Sequence, residues 1–237
     1  MIVQFRPVNY SRFSGFFNWT MTYRRDSDIY APYGSFGQSS QPTSVESILK
    51  RVRGLPKPKL VAWVVSNCKT PSKREDFVRE LKKHIPVDIF GKCGAKKCPG
   101  TRTNSECGKL LEREYMFYLA FENSNCNDYV TEKFYATLQM DIVPIVRGGA
   151  NYSAIAPLGS YIDVNGFSSA KDLAKELKRL SNSKEEYLRF FSWKAKTEVV
   201  DGYSQMGCNL CKALHESKPD KTYQDLGAWW RDGGNCQ

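Results

Sequence analysis

YLAFENSNCNDYVTEKF, residues 118–134, is the stretch that decides the fold, because a run of polar side chains follows directly on an apolar segment. Aromatic and aliphatic residues fill 116–121 and predict a buried strand. Val130, Phe134 and Leu138 then recur every four residues, as on one face of a helix. In open α/β sheets, ligands bind outside the carboxyl ends of the strands, where helix N-termini present free N–H groups to phosphates. The polar run falls at that place.

Strand and helix patterns alternate on both sides of this stretch. Residues 60–65 are a continuous apolar run suited to a strand buried on both faces, and residues 87–90 predict a second short strand. Between them, Ser72 and Glu75 form a capping box for a helix that Pro86 ends. The other predicted elements are a helix over 129–139, a strand over 142–146 with Pro144 at its end or edge, a strand over 161–164, and helices with Leu173, Leu177 and Leu180 and with the capping box Ser183 and Glu186. The order predicts an α/β fold, a doubly wound, Rossmann-like sheet.

The N-terminal quarter has a different composition. Residues 1–58 carry short aromatic runs and a Ser/Pro/Gly-rich stretch at 32–43, and residues 54–58 (GLPKP) are typical of a linker. At 237 residues the chain can hold one domain plus part of another. We therefore expect a partial, loop-rich domain over 1–58 and the sheet domain over 59–237.

The charge is basic, with 35 Lys and Arg against 25 Asp and Glu, and indicates anionic partners without choosing among nucleic acid, phosphorylated small molecules and membrane surfaces. The basic residues at 50–59 and 69–83 are interleaved with Pro and with helix-period apolar residues, not with stacking aromatics. That pattern favours a solvated basic face and disfavours a nucleic-acid partner.

Eight cysteines and three Asn-X-Ser/Thr sequons, at Asn9, Asn18 and Asn151, indicate the secretory pathway. A zinc site is the alternative for the cysteines, but their spacing is irregular and the two histidines fit no finger pattern, so we expect no metal site. No apolar run reaches the length of a membrane span, and the N-terminus has no signal-peptide core. The chain is therefore expected to be incomplete at its N-terminus.

Three segments carry a family likeness: FENSNCNDYVTEKF at 121–134, FNWTMTYRRDSDI at 17–29 and WVVSNC at 63–68. They resemble the α1,3-fucosyltransferases of glycosyltransferase family 10, and the likeness runs from about residue 17 to the C-terminus. The cysteine-rich loop and the C-terminal Cys-X-X-Cys resemble invertebrate members. The resemblance implies a GT-B fold, in which residues 59–237 form the donor domain and residues 1–58 are a remnant of the N-terminal acceptor domain.

The resemblance also implies a reaction and its setting. Family members are inverting Golgi enzymes that move L-fucose from GDP-β-L-fucose to the 3-hydroxyl of GlcNAc in glycans and glycoproteins. It implies the Golgi lumen, with a single-pass type II membrane anchor that is absent from this chain. The choice between an N-glycan core and an antennary acceptor stays open. So does the disulfide connectivity, with Cys208–Cys211 the favoured pair.

Five residues take donor-site roles through the resemblance. Glu132 resembles the carboxylate that accepts hydrogen bonds from the ribose hydroxyls, and Lys133 would face the diphosphate. Tyr129 would lie against the nucleotide, and Asn123 would reach the donor. Arg74 resembles the arginine that pairs with the phosphates, a role suited to a planar guanidinium.

No cofactor is implied. Lys133 and Arg74 would stabilise the leaving GDP without a required metal, and stimulation by Mn²⁺ is compatible with this scheme. The one Asp-X-Asp sequence, Asp26 to Asp28, belongs to the family's YRRDSDI block, so it does not indicate a metal-binding motif.

Each of these residues also has an ordinary structural interpretation. Glu132 and Lys133 could form a solvated first helical turn, Arg74 could be a surface partner of Glu75 or Asp76, and Tyr129 could belong to the core. Glu122 could touch fucose or only hold the loop.

The general base of the family resembles a glutamate in an upstream ESP-type motif, and no glutamate precedes Glu46 in this chain. Glu122, Asp26 and Asp28 are the candidate substitutes. Two hypotheses follow: a shortened but active α1,3-fucosyltransferase, or a catalytically impaired module that binds GDP-fucose.

Overall fold

The computed structural model describes residues 10–98, 106–216 and 220–236. Within these ranges the strands are β1 (Met21–Thr22), β2 (Ile29–Tyr30), β3 (Gly34–Gln38), β4 (Lys59–Val64), β5 (Val87–Phe90), β6 (Tyr115–Phe121), β7 (Val143–Arg147), β8 (Ile162–Asp163) and β9 (Thr197–Asp201). The helices in the same ranges are α1 (Val45–Arg53), α2 (Arg74–Leu81), α3 (Glu106–Glu114), α4 (Glu132–Gln139), α5 (Ala170–Asn182), α6 (Lys184–Arg189), α7 (Gly202–His215) and α8 (Leu226–Gly234).

The central sheet has five parallel strands in the order β5-β4-β6-β7-β8. Chain order runs outward in opposite directions from the junction of β4 and β6, which is the switch point of a doubly wound sheet. Ligands of such sheets bind at the carboxyl ends of the strands on either side of that point. The segment after β6, which begins at Glu122, lies there.

Both faces of the sheet are covered by helices, and β6 shows why. Phe117, Leu119 and Phe121 belong to the core cluster that contains α5, whereas Tyr118 and Ala120 belong to the cluster that contains α4. All five side chains are essentially inaccessible to solvent. The apolar run of β6 thus forms a buried strand, as predicted, and the strand is covered on both sides.

Several predicted local features are wrong. α4 begins at Glu132 with Thr131 as its N-cap, not at residue 129. Ser72 does not cap α2, because its hydroxyl donates to the Glu122 carbonyl at 2.8 Å and Lys73 occupies the cap position. α3 lies in a stretch where the sequence predicted no element.

Pro144 is the second residue of β7, an interior strand. Pairing between β7 and β8 begins only at Ile145, opposite Ile162. Pro144 therefore lies just before the first residue of β7 that pairs with β8.

The packing crosses the predicted boundary at residue 58. Ile48 and Val52 of α1 are buried in the same core cluster as the sheet, and β3 pairs along its length with β9 in an antiparallel ladder. Lys57, inside the predicted linker, is anchored by hydrogen bonds to three carbonyl oxygens of the sheet domain. The division into 1–58 and 59–237 stays a prediction, but the segment before residue 59 is part of the folded body.

Candidate functional site

Glu122 is the first residue after β6 and is completely buried. Its Oε1 accepts the Thr131 N–H at 2.8 Å and the Thr131 hydroxyl at 2.9 Å, and its Oε2 accepts the Lys133 ammonium at 3.1 Å. Burial raises the pKa of Glu122, and the Lys133 charge and the Thr131 hydrogen bonds oppose that effect. The carboxylate therefore ties the loop after β6 to the first turn of α4.

Lys133 and Glu132 stand at this same first turn. The Lys133 side chain is 14% exposed and donates to the Thr131 hydroxyl oxygen at 2.7 Å. Glu132 is 55% exposed, and its Oε1 lies 3.6 Å from the Lys133 ammonium. A positive and a negative group thus meet solvent at the N-terminus of a helix, where the helix dipole favours an anion, an arrangement suited to a phosphate and to neighbouring hydroxyls.

Asn123 and Asn125 carry buried Oδ1 atoms with no hydrogen-bond partner among the described residues. The backbone around them is fixed, since the Asn123 carbonyl accepts the Ser72 N–H at 3.1 Å. Gly149, after β7, approaches so closely that a Cβ there would lie 2.7 Å from the Asn125 carbonyl carbon. Unpaired buried acceptors are costly, so this end of the sheet presents acceptors that a ligand can satisfy.

Tyr129 is 6% exposed and packs on Tyr23, with ring centroids 5.1 Å apart. Tyr23 in turn contacts Tyr33 and Trp230, which makes an aromatic group beside α4. Burial raises the pKa of Tyr23 to about 12 and that of Tyr129 further. Both phenols therefore stay neutral near pH 7.

Arg74 lies behind this edge. Its side chain is 4% exposed, and it donates to the Phe121 carbonyl at 2.6 Å and to the Asn67 carbonyl at 3.2 Å. Burial lowers its pKa, and Glu75 opposes that effect. In this arrangement Nη1 and Nη2 of the guanidinium join the end of β6 to the loop after β4, and a direct pairing with phosphates stays a prediction.

Asp26 and Asp28, the N-terminal candidates for a base, are engaged in ion pairs with Arg24 and Lys221 respectively. Asp28 also accepts from Thr20 and Tyr223. Burial acts to raise the pKa of Asp28, but these hydrogen bonds outweigh it and lower the pKa to about 2. Asp26 is half exposed and is the more open of the two carboxylates.

Four residues of this edge were not predicted from the sequence: Thr131, Tyr23, Arg147 and Tyr152. Thr131 had a signal, because a threonine before an acidic helical turn is a preferred N-cap. Arg147 donates to the Ser72 carbonyl at 2.6 Å, and the buried Tyr152 hydroxyl has no partner among the described residues. No local pattern distinguishes these two from ordinary strand and loop residues.

Three disulfides join Cys68 to Cys93, Cys98 to Cys107 and Cys126 to Cys236. The predicted Cys208–Cys211 bond is wrong: both thiols are free and exposed on α7. Residues three apart on a helix hold their Cβ atoms roughly 5–6 Å apart, whereas a disulfide needs about 3.5–4.5 Å. Cys126–Cys236 attaches the C-terminal segment directly to the loop after β6.

Two of the three sequons lie in the described part of the chain. Asn18 is exposed, although its Nδ2, the atom that would carry a glycan, donates to the Lys221 carbonyl at 2.9 Å. Asn151 is exposed and lines a cavity of about 200 Å³ together with Tyr23 and Arg25. Asn9 lies outside the described residues.

Within residues 10–98, 106–216 and 220–236, no group of three or more His, Cys, Asp or Glu is placed to hold a metal ion. Over those ranges there is also no helix with the length and apolar character needed to cross a bilayer.

Two family profiles match the sequence. "Glycosyltransferase family 10 (fucosyltransferase) C-term" matches residues 55–229, and "Fucosyltransferase, N-terminal" matches residues 4–34. The first covers most of the chain and contains every predicted donor-site residue. The second covers the YRRDSDI block.

Two proteins of Drosophila melanogaster are similar over most of this chain. Glycoprotein 3-alpha-L-fucosyltransferase A is 42% identical over 226 residues, which are 92% of this chain and 44% of that protein. Alpha-(1,3)-fucosyltransferase C is 40% identical over 234 residues, which are 91% of this chain and 54% of that protein. The chain thus spans about half the length of the curated relatives that it matches.

A crystal structure of an α1,3-fucosyltransferase with GDP-fucose resembles this fold with a TM-score of 0.54. The match covers 71% of this chain and 50% of that protein, at 22% identity. It confirms the predicted α/β fold of GT-B type.

Proposed function

Because this chain belongs to glycosyltransferase family 10, the fucosyltransferases, we propose that it transfers L-fucose from GDP-β-L-fucose to the 3-hydroxyl of GlcNAc in glycoprotein glycans, with inversion. One observation carries the proposal: Glu132 and Lys133 meet solvent at the N-terminus of α4, at the same carboxyl edge as the unpaired Asn123 oxygen and at the switch point of the sheet. That combination suits a nucleoside diphosphate.

In the proposed donor complex, Glu132 accepts hydrogen bonds from the ribose hydroxyls and Lys133 neutralises the diphosphate. The aromatic rings of Tyr129 and its neighbour Tyr23 line the site. The acceptor hydroxyl attacks the anomeric carbon and its proton passes to a general base, for which Asp26 is the most open candidate. The bond to the GDP oxygen breaks, and Lys133 with the α4 N-terminus stabilises the charge on the leaving diphosphate. We propose that no metal is required, although Mn²⁺ can add to the same stabilisation.

The proposal includes the secretory setting of the family, which is the Golgi lumen, with glycans on Asn18 and Asn151. The cysteines support it, since three disulfides in one domain are typical of an oxidising compartment. The proposed partners are GDP-fucose and a GlcNAc-containing glycan acceptor, and not a nucleic acid.

A second candidate function is donor binding with little transfer. It is favoured by the engagement of the candidate bases: Glu122 is buried and paired with Lys133, and Asp28 is held by Lys221, Thr20 and Tyr223. Loss of a general base costs about 10²–10⁴-fold in rate. In an active chain, Asp26 would be the carboxylate that acts as the general base.

The test combines binding and transfer on the secreted, glycosylated chain. Calorimetry with GDP should give a dissociation constant that rises at least about tenfold in Glu132→Ala, because hydrogen bonds to a charged group are lost. Glu185→Ala is the matched control, since Glu185 is 70% exposed on α6 in an ion pair with Arg53. An equal effect of both substitutions, or no GDP binding by the natural chain, would contradict the donor site.

Transfer is then measured by mass spectrometry with GDP-fucose and a mixture of core-type and antennary GlcNAc acceptors. A fucosylated product that disappears in Glu132→Ala supports the enzyme and identifies its acceptor class. Tight GDP binding without product supports the donor-binding module.

A further inference from the structure

Glu122 is a buried carboxylate for which the donor site described above has no direct use. We propose that Glu122 is a positioning residue for the diphosphate of the donor, which it serves by fixing the ammonium of Lys133 and not by touching the substrate. The inference rests on the proposed donor site.

The contacts of Glu122 exclude a direct role. The side chain has no exposed surface, and its oxygens are surrounded by the Thr131 N–H, the Thr131 hydroxyl and the Lys133 ammonium. All three are donors, which suits an ionised carboxylate that only accepts. Any effect of this charge on a ligand must therefore pass through Thr131 or Lys133.

The number of protons on each group determines which atom donates in each hydrogen bond. The Lys133 ammonium donates one proton to Glu122 Oε2 at 3.1 Å and one to the Thr131 Oγ at 2.7 Å. Because Thr131 Oγ receives that bond, its own proton goes to Glu122. The third ammonium proton has no acceptor at hydrogen-bond distance among the described residues, as Glu132 Oε1 lies 3.6 Å away. It is the proton that an incoming phosphate oxygen can accept.

Glu132 explains why the ammonium must be held. Without Glu122, the flexible Lys133 side chain could shorten its 3.6 Å ion pair with the exposed Glu132 carboxylate to a hydrogen bond. Such a pair would occupy both donor-binding groups, and each would have to be released before the ligand bound. The hydrogen bonds of Lys133 to Glu122 and Thr131 hold its contact with Glu132 at 3.6 Å, longer than a hydrogen bond, and reduce the entropy that Lys133 loses on binding.

The experiment uses two nucleotides that differ by one phosphate. The dissociation constants of GMP and GDP are measured by calorimetry on the full chain, and their ratio, Kd(GMP)/Kd(GDP), reports what the second phosphate contributes. Glu122→Gln should lower this ratio about tenfold, because an oriented, charge-assisted contact is lost. A purely structural role would weaken GMP and GDP alike and leave the ratio unchanged.

A double-mutant cycle tests whether the effect passes through Lys133. In a Lys133→Met chain the ratio should already be low, and adding Glu122→Gln should change it by less than about twofold. Asp141→Asn is the matched control, because Asp141 is another buried carboxylate paired with a lysine, Lys194, but at the opposite edge of the sheet. It should leave the ratio unchanged.

An unchanged ratio in Glu122→Gln would overturn the inference, and so would an equal fall of the ratio with and without Lys133. If Glu122→Gln does not fold, Glu122→Asp keeps the charge but withdraws it by one methylene. Glu122→Asp should then lower the ratio Kd(GMP)/Kd(GDP) only when Lys133 is present. A ratio that does not change in Glu122→Asp would overturn the inference. Failure of the natural chain to bind GDP would overturn the proposed function, and this inference with it.

Discussion

The two edges of the central sheet treat buried polar groups in opposite ways. At the amino edge, Lys57 donates to the carbonyls of Glu112, Tyr115 and Asp141 at 2.5–3.0 Å. The Asp141 carboxylate accepts from both Arg51 and Lys194. Each of these charged groups therefore has hydrogen-bond partners within the protein.

At the carboxyl edge the pairing is incomplete. Asn123 Oδ1, Asn125 Oδ1, Arg74 Nε and the Tyr152 hydroxyl are buried without hydrogen-bond partners among the described residues. One lysine proton and a half-exposed carboxylate face solvent beside them. The difference indicates that the amino edge holds the fold, whereas the carboxyl edge keeps its polar groups for a ligand.

The largest effect should come from Asp141→Asn at the amino edge. Among the described residues the substitution leaves Lys194, which is 11% exposed, without a paired carboxylate, and unpairing a buried ion costs about 3–5 kcal/mol. The free energy of unfolding, measured with urea below the melting temperature, should fall by that amount. Glu185→Gln, in an exposed ion pair, should change it by less than about 1 kcal/mol. A large loss of GDP affinity in folded Asp141→Asn would mean that the two edges are not separate in function.

Gly149→Ala should disturb the carboxyl edge next most strongly. A Cβ at Gly149 would lie 2.7–2.8 Å from backbone atoms of Asn125 and Cys126, which cannot move aside as a flexible side chain would. Overpacking of this kind costs about 1–3 kcal/mol of stability. GDP affinity should fall as well, because the displaced loop carries the unpaired Asn125 oxygen. Gly166→Ala, with nothing within 4 Å of the added Cβ, is the control and should affect neither quantity.

The sequence predicted the carboxyl edge better than the amino edge. Periodicity located β4, β6 and α4 to within a few residues, and the motif placed Glu132 and Lys133 at a helix N-terminus, because both signals lie within one short segment. The contacts of Lys57 and Asp141 join segments separated by 53 to 90 residues, and no local pattern encodes them.

The same limit explains the errors at the site. Ser72 and Arg74 have the residue types of a helix cap and a phosphate ligand, yet they donate to the carbonyls of Glu122 and Phe121, which are 50 and 47 residues away. The Cys126–Cys236 bond spans 110 residues, whereas the predicted Cys208–Cys211 bond followed only from proximity in sequence. The local spacing of residues predicts helices and strands. The partners of individual side chains depend on residues that are distant in sequence, and local spacing does not predict them.

The smallest effect, and the finest test of the comparison, is the pH dependence contributed by Lys57. Burial lowers the pKa of Lys57 from 10.5 to about 8, although the charges of Asp141 and Glu112 oppose that effect. Between these two values the unfolded chain binds more protons than the folded chain, so this group makes the free energy of unfolding rise with pH, by at most about 1.4 kcal/mol per pH unit.

Lys57→Met removes the titrating group. The difference in unfolding free energy between the natural chain and Lys57→Met should therefore shift by about 1 kcal/mol in favour of the natural chain from pH 8 to pH 9. A difference that does not change with pH would show that the ammonium at the amino edge is fully compensated by its three carbonyls, which would make the balance of that edge more complete than the pKa of Lys57 indicates.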